Sequence, residues 1–149
     1  MRMVIQRVTR ASVEVGGEIV GSIGRGFLVL CGISQNDTVA IADRMVKKLC
    51  GLRIFDDAEG KTNLSLTDVG GRLLIISQFT LYADSKKGYR PSFINAGRPE
   101  MAEPLYEHIL EEAAKYIPDI QHGVFGAEMH VDLLNDGPFT IILDSEELF

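Results

Sequence analysis

The sequence predicts an α/β unit of one domain, built mainly on sheet with two principal helices. Three observations lead there. The chain has 149 residues, its opening third alternates like strands, and two later stretches carry apolar residues at helical spacing. Apolar residues make up 46% and charged residues 24%, which places the chain among ordinary globular proteins.

ASVEV and EIVGSI flank Gly16-Gly17, a hairpin signal. FLVLCGI at 27 to 33 is a short, nearly all-apolar strand between glycines. Asn36-Asp37 is the predicted cap of a first helix, in which Ala42, Met45, Val46 and Leu49 share a face. DDAEG at 56 to 60 reads as a turn, because it lacks the periodic oxygens and terminal Glu of a calcium loop.

RLLIISQFTLY is the clearest strand, apolar enough for both faces to be covered. ADSKKGYRPSFINAGRP then has the composition of a long surface loop, and loops that long are uncommon without a function. A second helix starts between Pro99 and Pro104 and runs to about Tyr116, with Leu105, Ile109, Ala113 and Tyr116 on one face. FGAEMHVDLL alternates with Ala127, Met129, Val131 and Leu133 on one side, and FTIILD returns after NDGP. That tetrapeptide reads first as a hairpin turn, with Pro138 opening the next strand; a cis Gly-Pro bond is the other reading.

Several classes of function fall away. With 15 Lys plus Arg against 21 Asp plus Glu the net charge is −6, which argues against holding a long stretch of DNA or RNA, though not against a contact to one RNA end. No run is long enough to span a bilayer and MRMVIQRVTR is no secretory signal, so the expected location is the cytoplasm. Cys31 and Cys50 lie in apolar segments and read as buried free thiols. His108, His122 and His130 have no metal-ligand spacing, and no serine-hydrolase elbow or phosphate loop appears. Neither metal nor cofactor is expected.

The polar residues that end the apolar run raise the question of function. Along a strand, Gln78 and Thr80 share one face and Ser77 and Phe79 the other. An amide and a hydroxyl there, beside free backbone N–H groups, suit a polar ligand or an oxyanion; equally, they satisfy neighbouring loop backbone.

IQRVTRASV, RIFDDAEGK, SQFTLYAD, GYRPSF, LYE and FGAEMHVDLLNDGPFTIILDS together carry a family likeness over nearly the whole chain. The chain resembles the D-aminoacyl-tRNA deacylases, which hydrolyse D-amino acids from mischarged tRNA. The departures are minor: Thr62 where methionine is common, and Leu134 where valine is common. The resemblance implies a homodimer of three-layer β/β/α sandwiches whose only substrate partner is the 3′ end of aminoacyl-tRNA, with no membrane or DNA partner. It implies that Gln78 and the N–H groups of Phe79 and Thr80 position the aminoacyl carbonyl and stabilise the oxyanion, and that Ser77 holds the strand end. Phe125 and Met129 would wall the adenine. Gly137-Pro138, in the cis form, would reach into the partner's pocket, grip the α-amino group and exclude L side chains.

A backbone wall excludes a side-chain direction, and glycine has no side chain. The same reasoning therefore extends the activity to glycine mischarged on alanine tRNA. For the chemistry, the motifs offer no His or acid–base pair, so positioning, oxyanion stabilisation and a ribose 2′-hydroxyl are expected to suffice. A Thr80 nucleophile is the competing route, but it lacks a visible activating base. Lys86, Lys87, Arg90 and Arg98 in the long loop are candidate phosphate contacts. A non-catalytic module that binds an RNA end or a small ligand is the alternative function.

Overall fold

Strand β1 (Arg2–Val15) organises the sheet because it pairs along both edges. In the computed structural model, which describes residues 1–149, Gly16 and Gly17 turn the chain with φ of 58° and 84°, the pair of positive values that a two-residue hairpin needs. β2 (Glu18–Ile23) and then β3 (Gly26–Gly32) run back along one edge of β1.

Helix α1 (Val39–Cys50) follows. The small hairpin of β4 (Arg53–Asp56) and β5 (Thr62–Ser65) encloses the DDAEGK turn, and α2 (Leu66–Val69) leads out of it. β6 (Arg72–Ser77) then pairs parallel to β3, from Gly26↔Arg72 to Cys31↔Ser77. After α3 (Pro99–Ala114), the short β7 (Gln121–His122) adds a parallel strand to β6. β8 (His130–Asp144) runs antiparallel to β1 along its other edge, and α4 (Ser145–Leu148) ends the chain.

The sheet curls nearly into a barrel. β2 comes back toward β7, where Ser22 N–H donates to Gln121 Oε1 at 3.4 Å. Inside the curl Val8, Ala11, Val13, Leu28, Leu74 and Ile76 form a small core. A larger core of 24 residues fills the space between the sheet's other face and α1 and α3; Phe27, Met45, Leu49, Ile75 and Ile109 are its centre. Two β layers and one helical layer result, as a three-layer sandwich requires. Burial on both faces explains why β6 is apolar throughout.

Three local expectations are corrected, and the open start of the second helix is fixed. The cap of α1 is Thr38, whose hydroxyl accepts from Ile41 N; Asp37 instead accepts from Ser34 N at 2.7 Å and from the Met1 ammonium. The strand at 72 to 82 stops at Ser77, and Phe79–Tyr82 is a 3₁₀ turn. Helix α3 starts at Pro99 and carries Pro104 inside it, where the missing N–H leaves unpaired only the carbonyl of Glu100 in the exposed first turn. The last correction concerns NDGP, which is no hairpin. β8 stays on β1 before and after it, and between Gln6↔Thr140 and Val8↔Asn135 the chain pushes out residues 136–139 as a bulge. An outward bulge and a hairpin share the same turn residues, so composition alone does not separate them.

Candidate active site

A cavity of about 410 Å³ opens where β3 and β6 end side by side. Ser77, Gln78 and Phe79 line one side, Phe93 and Arg98 the loop side, and Phe125 the far wall. The reason for a cavity there is topological: two parallel strands end together, and the chain leaves both edges in different directions. Tyr106 on α3 fixes the strand just before the pocket, donating its buried hydroxyl to Ile75 O at 2.7 Å. Its ring also packs on Phe125 at 5.9 Å.

Gln78 N–H donates to Cys31 O at 2.8 Å, the last sheet-like bond between the two strands. From there the backbone turns. The first bond of the 3₁₀ turn is Leu81 N–H to Gln78 O at 3.3 Å, so the amides of Phe79 and Thr80 precede it and have no partner in the turn. Gln78 and Thr80 are not parallel neighbours on a strand, as the alternation pattern suggests. They meet directly, Gln78 Nε2 donating to Thr80 Oγ1 at 2.6 Å. Glycine at position 32 lets the turn sit this close. A Cβ there would lie 2.9 Å from Leu81 Cβ and 3.1 Å from Gln78 O.

Cys31 lies on the pocket floor. Its thiol is pushed up to about 12, chiefly by burial and further by the charge of Asp37. It is therefore protonated and unreactive at neutral pH. Phe79, half exposed, meets Phe93 edge-to-face at 5.1 Å and forms the lip. The loop that carries Phe93 is pinned by an Asp84–Ser92 bridge, and Gly97 N–H donates to Ile33 O at 2.8 Å.

Of the sequence-predicted site residues, the structure brings Ser77, Gln78, Phe79 and Phe125 to this cavity, with Thr80 bonded to Gln78 at its edge. Met129 does not line it; it packs with Val131 and Leu133 on the smaller core. Gly137 and Pro138 also lie elsewhere, exposed at the tip of the β8 bulge, with a cis peptide bond between them. Among the loop cations, Arg98 is at the cavity rim and Lys86, Lys87 and Arg90 are exposed beyond it.

Arg7 was visible only as one letter of IQRVTR, and it is the main support of the bulge. It is buried, donates to Asp136 O at 2.9 Å and to Ile54 O at 2.7 Å, and lies over the Phe139 ring at 4.5 Å. Asn135 clamps the same loop, its Oδ1 accepting from Phe139 N at 2.7 Å. An arginine in the middle of an apolar strand was the available signal. Elsewhere, Asp43, His108 and Glu112 converge between α1 and α3, a cluster no local spacing reveals. His108 Nε2 is 2.6 Å from Asp43 Oδ1, while Lys115 supplies the counter-charge at Glu112.

Fold and pocket together define an α/β protein with a strand-end cavity that has two unpaired backbone amides at its edge and an aromatic far wall. The chain belongs to the D-Tyr-tRNA(Tyr) deacylase family, whose model matches residues 4–144. It is 50% identical over 149 residues to the D-aminoacyl-tRNA deacylase of Symbiobacterium thermophilum, covering 100% of this chain and 99% of that one. The D-aminoacyl-tRNA deacylase of Desulfitobacterium hafniense is 53% identical, with both chains covered in full. Among solved structures, the c-Myc DNA unwinding element binding protein superposes with a TM-score of 0.92 at 48% identity, over 97% of this chain and 98% of that one. A probable eukaryotic D-amino acid tRNA deacylase has the same fold, with a TM-score of 0.82 at 18% identity over 95% and 97% of the two chains.

Proposed function

We propose that the protein is a D-aminoacyl-tRNA deacylase that hydrolyses the ester between a D-amino acid and the 3′-terminal adenosine of tRNA. Full-length relatives of that name support the activity. The observation that carries the site is the pair of free amides at Phe79 and Thr80, beside Gln78 at the end of β6.

An aminoacyl ester is already reactive, so its hydrolysis needs a held carbonyl and stabilised charge more than a strong nucleophile. With the ester carbonyl against the Phe79 and Thr80 amides, water attack places the developing oxyanion where two N–H donors await it. The substrate's ribose 2′-hydroxyl takes part in activating that water. Ser77 and Gln78 orient the acyl group, and Phe125 and the lip of Phe79 and Phe93 bound the space for the base and the amino-acid side chain. Thr80 acts through its amide, since its hydroxyl meets the Gln78 amide rather than a base.

Chiral selection, in this reading, comes from a second copy of the chain. The Gly137-Pro138 bulge is exposed and does not line its own pocket, and β8 pairs with β1 on one side only. An unpaired 15-residue edge with Ile142 64% exposed suits a homodimer. The bulge of each protomer then closes the partner's pocket, where its carbonyls hold the α-amino group and its backbone blocks L side chains. Such an enzyme works in the cytoplasm, where its tRNA substrate is.

The direct test compares D-tyrosyl-tRNA and L-tyrosyl-tRNA with the purified protein and a Gly137→Ala, Pro138→Ala variant. Loss of the D ester alone, weakened in the variant, is the expected result. Decay of both esters at the buffer rate overturns the proposal.

A further inference from the structure

The chain is acidic overall, yet the side chains lining one concave surface are all cationic or neutral. At the C-terminal end of α1, Arg44, Lys47, Lys48 and Arg53 surround a concavity of about 520 Å³ floored by Leu52 and Phe149. All four cations are exposed. None takes part in any of the nine ion pairs, which occupy the Met1 ammonium, Arg2, Arg7, Arg10, Lys61, Lys115, His108 and His130 instead.

Helix polarity accounts for part of this set, because Lys47 and Lys48 in the last turn face the unpaired carbonyls. It does not account for Arg44, one turn earlier, or for Arg53, beyond the helix. Arg44 sits over the Phe149 ring at 3.7 Å, and Arg53 donates to Asn63 O at 2.8 Å. Two of the four guanidinium and ammonium groups are thus fixed in place before any ligand arrives, at the rim of a groove whose lining side chains include no carboxylate. Fixed, unpaired cations around a concavity suit a chain of phosphodiesters.

We infer that this groove holds the phosphate backbone of the tRNA during deacylation. The inference rests on the proposed tRNA substrate. Ile33, six residues before α1, lines the catalytic cavity, and the groove residues Arg44, Lys47 and Lys48 lie five to nine residues beyond Val39 along the helix. At 1.5 Å per residue this is about 8–14 Å along α1. A phosphate site at that remove engages RNA away from the terminal adenosine and leaves the chemistry untouched. It also reconciles an acidic protein with a polyanionic substrate: cations are gathered where the backbone passes instead of being spread over the surface.

Lys47→Ala with Lys48→Ala is the test variant, since neither side chain makes a hydrogen bond or ion pair. Lys61→Ala with Lys115→Ala changes net charge equally at paired sites and is the control. Binding of uncharged tRNA is followed by fluorescence anisotropy across salt concentrations, and hydrolysis is measured on D-tyrosyl-tRNA and on D-tyrosyl-adenosine. The groove variant is expected to weaken tRNA binding and to flatten the log–log salt slope by about 2. Its KM for D-tyrosyl-tRNA rises, with hydrolysis of D-tyrosyl-adenosine unchanged, and the control behaves as wild type. Equal binding and slope in wild type and groove variant overturn the inference. Should no ester be hydrolysed by any form, the catalytic reading fails, while the anisotropy series still decides the groove.

Discussion

Gln78 Nε2 donates to Thr80 Oγ1 at 2.6 Å, and this bond fixes what Thr80 can do. A threonine hydroxyl becomes a nucleophile only beside a group that takes its proton, and an amide N–H is a donor. Thr80→Ala is therefore expected to keep turnover within about tenfold of wild type, the loss reflecting a looser Gln78. A fall of about a thousandfold or more with tRNA binding retained would restore the covalent mechanism. Single-turnover kinetics on D-tyrosyl-tRNA separates the two.

Gly32 is expected to be a positioning residue for the same turn. An alanine Cβ would press on Leu81 Cβ and Gln78 O, 2.9 and 3.1 Å away. Overpacking of this kind costs about 1–3 kcal/mol. Gly32→Ala should lower kcat more than it raises KM, because the displaced amides act on the transition state. Comparable kcat in a variant of lowered Tm would show that the turn tolerates the shift.

Arg7→Ala should act at a distance from the cavity. It leaves the carbonyls of Asp136 and Ile54 without their donor and uncovers Phe139, a loss of about 2–4 kcal/mol. Arg7→Lys reaches one carbonyl but not both. Both variants are expected to lower the ratio of D-tyrosyl to L-tyrosyl hydrolysis, with alanine the worse. An unchanged ratio would free chiral selection from the bulge.

What the sequence made legible follows from where each signal lives. β1, β6 and the two long helices are written in apolar periodicity, which burial on a sheet or helix face dictates directly. The site motif was equally visible, but its geometry was not. A strand and a strand followed by a 3₁₀ turn share the letters SQFTLY, and the choice is made by Gly32 across the sheet, which admits the turn. The hairpin reading of NDGP fails for a similar reason, while its cis Gly-Pro alternative holds, since whether its flanks pair with each other or with β1 depends on a partner more than 120 residues away. Arg7 and the Asp43–His108 pair belong to the same class of long-range contact.

Acid should unfold the protein partly through Asp144. Burial raises its pKa, but the Arg2 hydrogen bond at 2.8 Å, the Glu146 amide and the Arg2 charge together bring it below its ordinary value. A carboxylate lowered on folding stabilises the protein above its unfolded pKa of about 3.9, and that contribution is lost as pH falls through the folded value. Asp144→Asn should thus be less stable than wild type at pH 7, with the gap closing toward pH 3. Urea midpoints at the two pH values check this, and a constant gap would assign the loss to packing.

The last prediction concerns glycine. A pocket cannot separate mirror-image residues by attraction, since both carry the same groups, so the Gly137-Pro138 backbone is proposed to select by blocking one side-chain direction. Glycine places only hydrogen in that direction and meets no obstruction. It also lacks the methyl group that D-alanine offers the pocket, a difference that binding sites convert into about 10–200-fold in rate. Glycyl-tRNA(Ala) is therefore expected to be hydrolysed within that factor of D-alanyl-tRNA(Ala), while L-alanyl-tRNA(Ala) decays at the buffer rate. Parallel time courses of the three esters measure it. A glycyl ester as stable with enzyme as without would mean that the site demands a D side chain, and that selection rests on contact with it instead of exclusion of its mirror image.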